Sequence, residues 1–382
     1  MNKPQLKTKV LLLENINKTA VEIFKKYGYE VEHLTYALDE EQLKNKITDI
    51  DILGIRSKTN INKNILKRAK KLKAIGAFCI GTNQIDLETC NQNGVAVFNA
   101  PFSSTRSVVE LTIGEIIMIS RKIIEKNNKV HQGTWDKTAN NVHEIRGKKL
   151  GIIGYGNIGS QVSMLAEILG MEVFFYDIVD KLTMGNAKKC DTKEELLKTA
   201  DIVTIHVDGR PENKDLIGDN EFKLMKNNSI LINLSRGFVI DIDALVKNIK
   251  NKKIAGAGID VYPREPRKSL DKFVTKLQNL PNIILTPHIG GNTEEAQTNI
   301  GEFVTNKLID YIQNGTTTLS VNFPQIQLTK NQNSKDRFIH IHQNIPGILA
   351  KINQILKENN INIESQFLKT NEQIGYVITD IN

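Results

Sequence analysis

KKLGIIGYGNIGSQVSMLAEILGMEVFFYD, residues 148–177, carries the signals of a strand, a glycine-rich turn, a helix and a second strand ending in an acid. Lys149 to Ile153 is a short apolar run suited to a buried parallel strand. Gly154, Gly156 and Gly159 then give G-x-G-x-x-G where a helical stretch opens. In such a turn the first glycine permits the sharp reversal, the second lets the backbone approach a pyrophosphate, and the third lets helix and strand pack closely. Phosphate sits on the helix N-terminus because unpaired N–H groups and the helix dipole both favour negative charge. Asp177 stands 18 residues after Gly159, close to the spacing of an acid that binds a ribose 2′-hydroxyl and repels a 2′-phosphate. Ile178, Val179 and Asp180 follow without an arginine, so the stretch predicts NAD over NADP.

Outward from this stretch the pattern is α/β throughout. Before it, the strand-like runs Val10 to Leu13, Glu30 to Leu34, Asp51 to Ile55, Leu72 to Ala77 and Val95 to Phe98 alternate with helical stretches at Thr19 to Tyr27, Asp39 to Ile47 and Lys63 to Lys71. After it, Asp201 to Val207, Ser229 to Leu234, Ile254 to Val261 and Asn282 to Thr286 bring the dinucleotide sheet to six strands. Ser103 to His131 reads as one long helix, apolar on most sides, that bridges domains. Asn292 to Asn314 is a helix that crosses back to the first domain, and Thr316 to Ser334 reads as a linker. A tail of Phe338 to His342, a helix from Pro346-Gly347 to Asn359, Ile361 to Leu368 and Ile374 to Ile381 reads β, α, β, β.

The expected architecture is therefore two doubly wound parallel α/β domains plus a small module. A Rossmann domain (104–291) is inserted into a flavodoxin-like substrate domain (1–103 and 292–330), and the module occupies 335–382.

With 382 residues, 40% hydrophobic and 25% charged, the composition is that of a globular protein of two or three domains. Cys79, Cys90 and Cys190 are widely spaced and form no CxxC, which predicts reduced core thiols, neither disulfide nor zinc, and a cytoplasmic location. Val10 to Leu13 is too short for the core of a signal peptide, and Glu115 and Arg121 interrupt the longest apolar helix, so no membrane association is expected. A net charge of +8 comes from lysines scattered over helix faces without aromatic interleaving, which argues against nucleic acid and suits a small anionic substrate.

Ligands of open parallel sheets bind outside the carboxyl ends of the strands. Those ends here carry His206 to Asp208, Ser235-Arg236, Asp260 and Thr286 to His288. Hydride transfer needs a general acid/base and a cation to anchor a carboxylate. His288 is the base candidate because imidazole titrates near neutral pH. Glu265 can fix its tautomer, and Arg236 can grip a carboxylate with two parallel N–H bonds. Taken singly, His288 could be structural and Arg236 or Glu265 a surface ion pair worth little.

Taken together, Gly154 to Gly159, Asn233-Leu234-Ser235-Arg236-Gly237, Gly258-Ile259-Asp260-Val261 with Glu265, and Thr286-Pro287-His288-Ile289-Gly290-Gly291 resemble the D-isomer-specific 2-hydroxyacid dehydrogenase family over nearly the whole chain. Arg56-Ser57-Lys58-Thr59, Ala77 to Gln84, Asn99 to Phe102 with Arg106, and the tail from His340 resemble its bacterial, serine-regulated branch acting on a phosphorylated substrate. The resemblance implies Arg236, Glu265 and His288 as the catalytic set. Asn157 and Ile158 would face the pyrophosphate, and Leu234, Ser235, Asp260 and His288 to Gly291 would line the cofactor. It further implies Arg56, Lys58 and Gly81 at the substrate, Lys137 reaching a neighbouring subunit's site, and a dimer or tetramer. Where the family commonly has Arg, Lys58 keeps the charge and loses the bidentate fork. The implied reaction is NAD-dependent oxidation of 3-phospho-D-glycerate, opening serine biosynthesis. Alternatives are reduction of another small 2-oxo acid, of the glyoxylate, hydroxypyruvate or lactate type, or a non-catalytic NAD-sensing relative.

The tail resembles the first part of an ACT module, a βαββαβ ligand-binding fold. His342, Asn344 and Asn362 match serine-binding positions, making L-serine the implied effector, and Ile345 stands where a basic residue is often found. The sequence ends after the module's third strand, so an incomplete, loosely folded sheet exposing apolar surface and poorly inhibited by serine is expected.

Overall fold

The computed structural model describes residues 7–266, 271–329 and 334–382. The chain divides into two compact units, Met1–Ser103 with Gln297–Asn382, and Ser104–Ala296.

The first unit holds β1 (Lys9–Leu12), β2 (Glu30–His33), β3 (Ile52–Ile55), β4 (Ala74–Ala77) and β5 (Ala96–Asn99), all parallel in the order β2-β1-β3-β4-β5. This is the flavodoxin-like order. β1, β3, β4 and β5 read as largely apolar runs because helices cover both faces, while the edge strand β2, Glu30-Val31-Glu32-His33, has no buried residue. Val10 and Leu12 enter one core with Phe24, Phe98 and Val304, while Leu11 and Leu13 enter the other with Leu43, Ile65 and Val97. Val304 lies on the helix Glu294–Asn314, which thereby covers this sheet.

The segment after that helix is not a plain linker. Asn322 accepts from the Val97 amide at 2.8 Å, Ser320 bridges to Phe98 beside β5, and the Thr317 hydroxyl donates to the Pro324 carbonyl at 2.6 Å. Polar side chains bonding backbone build this segment, so it shows no apolar period. Residues 330–333 of the expected linker lie outside the described residues.

The same unit carries an antiparallel sheet of β13 (Asp336–Gln343), β14 (Ile363–Thr370) and β15 (Ile374–Ile381), ordered β13-β15-β14, with the helix Ile348–Glu358 between β13 and β14. β15 is buried along its whole length, and its Ile374, Tyr376 and Ile378 join the core of the five-stranded domain. Apolar surface of the module is exposed on the outer strands at Phe338 and Phe367 and around the helix at Ile345 and Ile355.

The second unit is built on β6 (Lys149–Ile153), β7 (Glu172–Tyr176), β8 (Lys188–Lys189), β9 (Ile202–Ile205), β10 (Ser229–Asn233), β11 (Ile254–Ile259) and β12 (Ile283–Leu285). Their parallel order is β12-β11-β10-β9-β6-β7-β8, a Rossmann sheet whose strand order reverses between β6 and β9. The sheet has seven strands, one more than expected. β8 is two lysines paired on Phe174 and Phe175 at the sheet edge, where their charges guard against further pairing.

The long helix expected over 103–131 is two helices, Thr105–Ser120 and Ile123–His131. Lys122 breaks it with a left-handed backbone (φ 51°). Nine residues of the first helix are buried and none of the second, so the apolar run continues through a change of environment.

Candidate active site

The dinucleotide turn has the geometry that its glycines require. Gly154 adopts φ 92°, and a Cβ there would lie 2.5 Å from the His206 carbonyl oxygen of the neighbouring strand. A Cβ on Gly159 would lie 2.2 Å from the Gly154 carbonyl, so that residue sets the helix against the strand. Gly156 faces open space, and as N-cap of the helix Asn157–Ile168 it supplies no side-chain acceptor, leaving the first amides, those of Asn157 and Ile158 among them, for an anion. Asp177 follows β7 and accepts from the Tyr155 and Val179 amides at 2.8 and 2.9 Å, which fixes its carboxylate beside the turn. Open space over Gly156, uncapped amides and a fixed acid fit a dinucleotide.

Three neighbouring strand ends carry the candidate catalytic residues. After β10, Asn233 accepts from the Ser235 amide and hydroxyl at 3.0 and 2.7 Å and donates to the Arg236 carbonyl at 3.0 Å, so it shapes the turn that presents Arg236. Leu234 and Ser235 are buried in that turn. A Cβ on Gly237 would lie 1.9 Å from the Tyr262 carbonyl carbon, which brings the Arg236 turn directly against the segment leading to Glu265.

After β11, buried Asp260 accepts from the Thr286 hydroxyl (2.6 Å) and the Ile289 and Gly290 amides (2.8 Å each). Gly291 follows, packed beside Ser104. The Tyr262 hydroxyl lies 3.0 Å from the Ile259 and Thr286 carbonyls and ties the same two segments.

His288 sits between these anchors in a left-handed backbone conformation (φ 55°), uncommon for a residue with a side chain. Its amide donates to the Asp260 carbonyl at 2.8 Å. Its Nδ1 lies 2.7 Å from Glu265 Oε2, and Glu265 Oε1 accepts from the Tyr262 amide at 3.1 Å. The hydrogen bond to Glu265 raises the His288 pKa against an opposing effect of burial. Burial by itself would raise the Glu265 pKa, yet the bond from His288 and the nearby Arg236 charge leave it below the usual carboxylate value. Arg236, Glu265 and His288 thus act on one another electrostatically in one cluster.

In the other unit, Arg56 and Lys58 follow β3, and Gly81 follows β4. Two side chains not singled out in the sequence organise them. Buried Glu14, just after β1, accepts from the Lys58 and Thr59 amides at 2.9 and 2.8 Å, and Gln84 donates to the carbonyls of Arg56 and Gly81 at 2.8 and 3.2 Å. The sequence signal for Glu14 was an acid directly after an apolar strand, the same signal that marked Asp177. Lys137 lies exposed in the second unit beside Trp135.

The register of the C-terminal sheet separates the effector candidates. His342 pairs with Gly375, and Asn344 donates to the Asn371 carbonyl at 2.7 Å. Asn362 lies at the opposite end, where its carbonyl accepts from Asn382. One chain brings His342 and Asn344 together and leaves Asn362 about a strand length away.

The family model described as "D-isomer specific 2-hydroxyacid dehydrogenase, NAD binding domain" matches residues 113–290, and an "AHAS small subunit-like ACT domain" matches 338–382. D-3-phosphoglycerate dehydrogenase of Haemophilus influenzae is 48% identical over 98% of this chain and 92% of its own length. The chain belongs to the D-isomer-specific 2-hydroxyacid dehydrogenases, alongside their D-3-phosphoglycerate dehydrogenases. The Escherichia coli K12 D-3-phosphoglycerate dehydrogenase is 49% identical, covering 98% and 91% of the two chains. The D-lactate dehydrogenase of Aquifex aeolicus, solved with NAD and lactic acid, superposes with a TM-score of 0.73 at 25% identity, over 83% of this chain and all of that one. This member of the family is an NAD-dependent oxidoreductase carrying an ACT module of the kind that binds amino-acid effectors. Among the described residues no helix is long and apolar enough to cross a membrane.

Proposed function

We propose that this dehydrogenase oxidises 3-phospho-D-glycerate to 3-phosphohydroxypyruvate with NAD, the entry to serine biosynthesis. The observation that carries the reading is the 2.7 Å bond between His288 Nδ1 and Glu265 at the sheet end that also presents Arg236. Because Nδ1–H is committed to the carboxylate, the free Nε2 lone pair is the base that takes the C2 hydroxyl proton. Glu265 stays ionised and stabilises the imidazolium that forms. Arg236 holds the substrate carboxylate through paired N–H bonds. Arg56 and Lys58 hold the phosphate, with Lys137 of a neighbouring subunit completing the site in a homo-oligomer. The Lys58 and Thr59 amides already donate to Glu14, so these two amides are not the phosphate donors and the Arg56 and Lys58 side chains carry its recognition in this reading. NAD, when bound, accepts the hydride that leaves C2.

The separation of Asn362 from His342 and Asn344 supports serine binding between two tails, one giving His342 and Asn344 and the other Asn362. NADH formation from 3-phosphoglycerate, glycerate, lactate and glycolate tests the substrate reading. Comparable rates with and without the phosphate would refute it.

A further inference from the structure

Glu115 points from the helix Thr105–Ser120 onto the sheet of its own unit and is 1% exposed, yet neither of its carboxyl oxygens has a hydrogen-bond partner among the described residues. Such a group is costly when merely buried, and several times more so as an unpaired ion. Its place follows from two periodicities. Along β11 the alternate residues Gly256, Gly258 and Asp260 share one face, while Ile119 and Glu115 stand one turn apart on the helix. A Cβ on Gly256 would lie 2.6 Å from Ile119 Cγ2, and one on Gly258 would lie 2.1 Å from Glu115 Oε2. The glycines let the helix approach, and the next residue on that face is Asp260.

Two carboxyl groups brought together out of water do not both ionise. Asp260 has three donors on its oxygens and Glu115 has none, so the charge belongs on Asp260 and the proton on Glu115. We propose that Glu115 is a positioning residue, the neutral partner of a carboxyl pair whose single charge lets Asp260 anchor the Thr286–Gly290 segment and hence His288. The assignment to catalysis rests on the functional reading above; the carboxyl pair itself does not.

Burial first, and the Asp260 charge second, push the Glu115 pKa up to about 8. Asp260 and Tyr262 are the titratable groups that face it from β11 and the segment after it, and Tyr262 in turn feels both carboxyls. The helix Asn157–Ile168 and the strands β10 and β12 add Val162, Ala166, Ile230, Ile232 and Ile284 to this core, and among the described residues Asp260 is the charge that acts on Glu115. For an acid whose folded pKa is raised, the native state holds the extra proton, so stability falls as pH rises from the unfolded value through the folded one. Ionised Glu115 repels Asp260 and loosens the segment that Asp260 holds.

The test compares the unmutated enzyme with Glu115→Gln, which keeps the shape and cannot ionise. Thermal midpoint and NADH affinity are measured from about pH 7 to about pH 9.5, and we expect the unmutated enzyme to lose at least about threefold more affinity than the variant, the His288–Glu265 contribution being common to both. Parallel pH curves for the two proteins would overturn the proposal. Should Glu115→Gln not fold, carbon-13 carboxyl titration of glutamate-labelled unmutated enzyme decides: one glutamate titrating several pH units above the rest supports it, and none above about pH 6 overturns it. Neither readout uses turnover, so a wrong substrate would leave the outcome intact, and a working substrate could not rescue it.

Discussion

At the residue scale the decisive arrangement is His288 held by its backbone and oriented through one ring nitrogen. A left-handed non-glycine residue costs roughly 1–2 kcal/mol, and here the bonds of the His288, Ile289 and Gly290 amides to Asp260 offset it. His288→Asn should retain NADH binding and lower turnover by at least about a hundredfold, since general acid/base catalysis contributes 10² to 10⁴. Near-normal turnover would make His288 structural. With His288 as the proposed base, oxidation uses the neutral imidazole, so its rate should rise with pH through a midpoint above the ordinary histidine value, because the bond to Glu265 raises that pKa. Glu265→Gln should move the midpoint down as well as slow the reaction, and an unmoved midpoint in the pH–rate profile would show that Glu265 does not govern the base. The same bond contributes stability that is fully present below the unfolded histidine pKa and is lost as pH rises through the folded one.

At the scale of elements, the site is made by turns whose geometry is set by what they touch. Gly237 belongs to the Arg236 turn, and a side chain there would drive into the Tyr262 backbone. Gly237→Ala should therefore separate Arg236 from Glu265 and cut kcat/KM for the hydroxyacid far more than NADH affinity. Equal losses in both would point to general unfolding. Elements fixed by apolar periodicity and glycine chemistry were legible from the sequence: both parallel sheets, the dinucleotide turn with Asp177, and the strand ends bearing Arg236, Asp260 and His288. Lys122 was not, because a left-handed lysine inside an apolar run leaves no local mark. β8 was not, because two lysines become a strand only against Phe174 and Phe175. The 316–328 segment was missed because its order comes from Thr317, Ser320 and Asn322 bonding backbone. Glu115 was visible only as an interruption of an apolar helix, and its meaning needed the Gly258 face of β11.

At the scale of the whole molecule, the ACT module is continuous with one of the two units. Tyr376 is fully buried in the core that includes Tyr311 and Phe323, and its hydroxyl donates to the Gly315 carbonyl at 2.7 Å. Arg337 grips Asp380 through Nε and Nη2 at 2.6 and 2.7 Å, and its Nη1 donates to the carbonyls of Asn314 and Leu328 at 2.9 and 2.8 Å. That guanidinium therefore links β13, β15, the end of the helix Glu294–Asn314 and the segment after it. Both charges are almost wholly buried, with side-chain exposures of 6% and 0%. Removing one member of a buried pair costs about 3–5 kcal/mol, because the other charge stays in a poor solvent. Since this pair sits where the module joins the rest of its unit, Arg337→Ala should lower the melting of the entire unit, the five-stranded sheet included. Calorimetry distinguishes this from a tethered module: an early, small transition for residues 334–382 with the main transition unmoved would show that the module melts by itself. A single transition shifted downward as a whole would show that the ACT sheet and the five-stranded sheet, joined through Arg337 and Tyr376, melt as one cooperative unit.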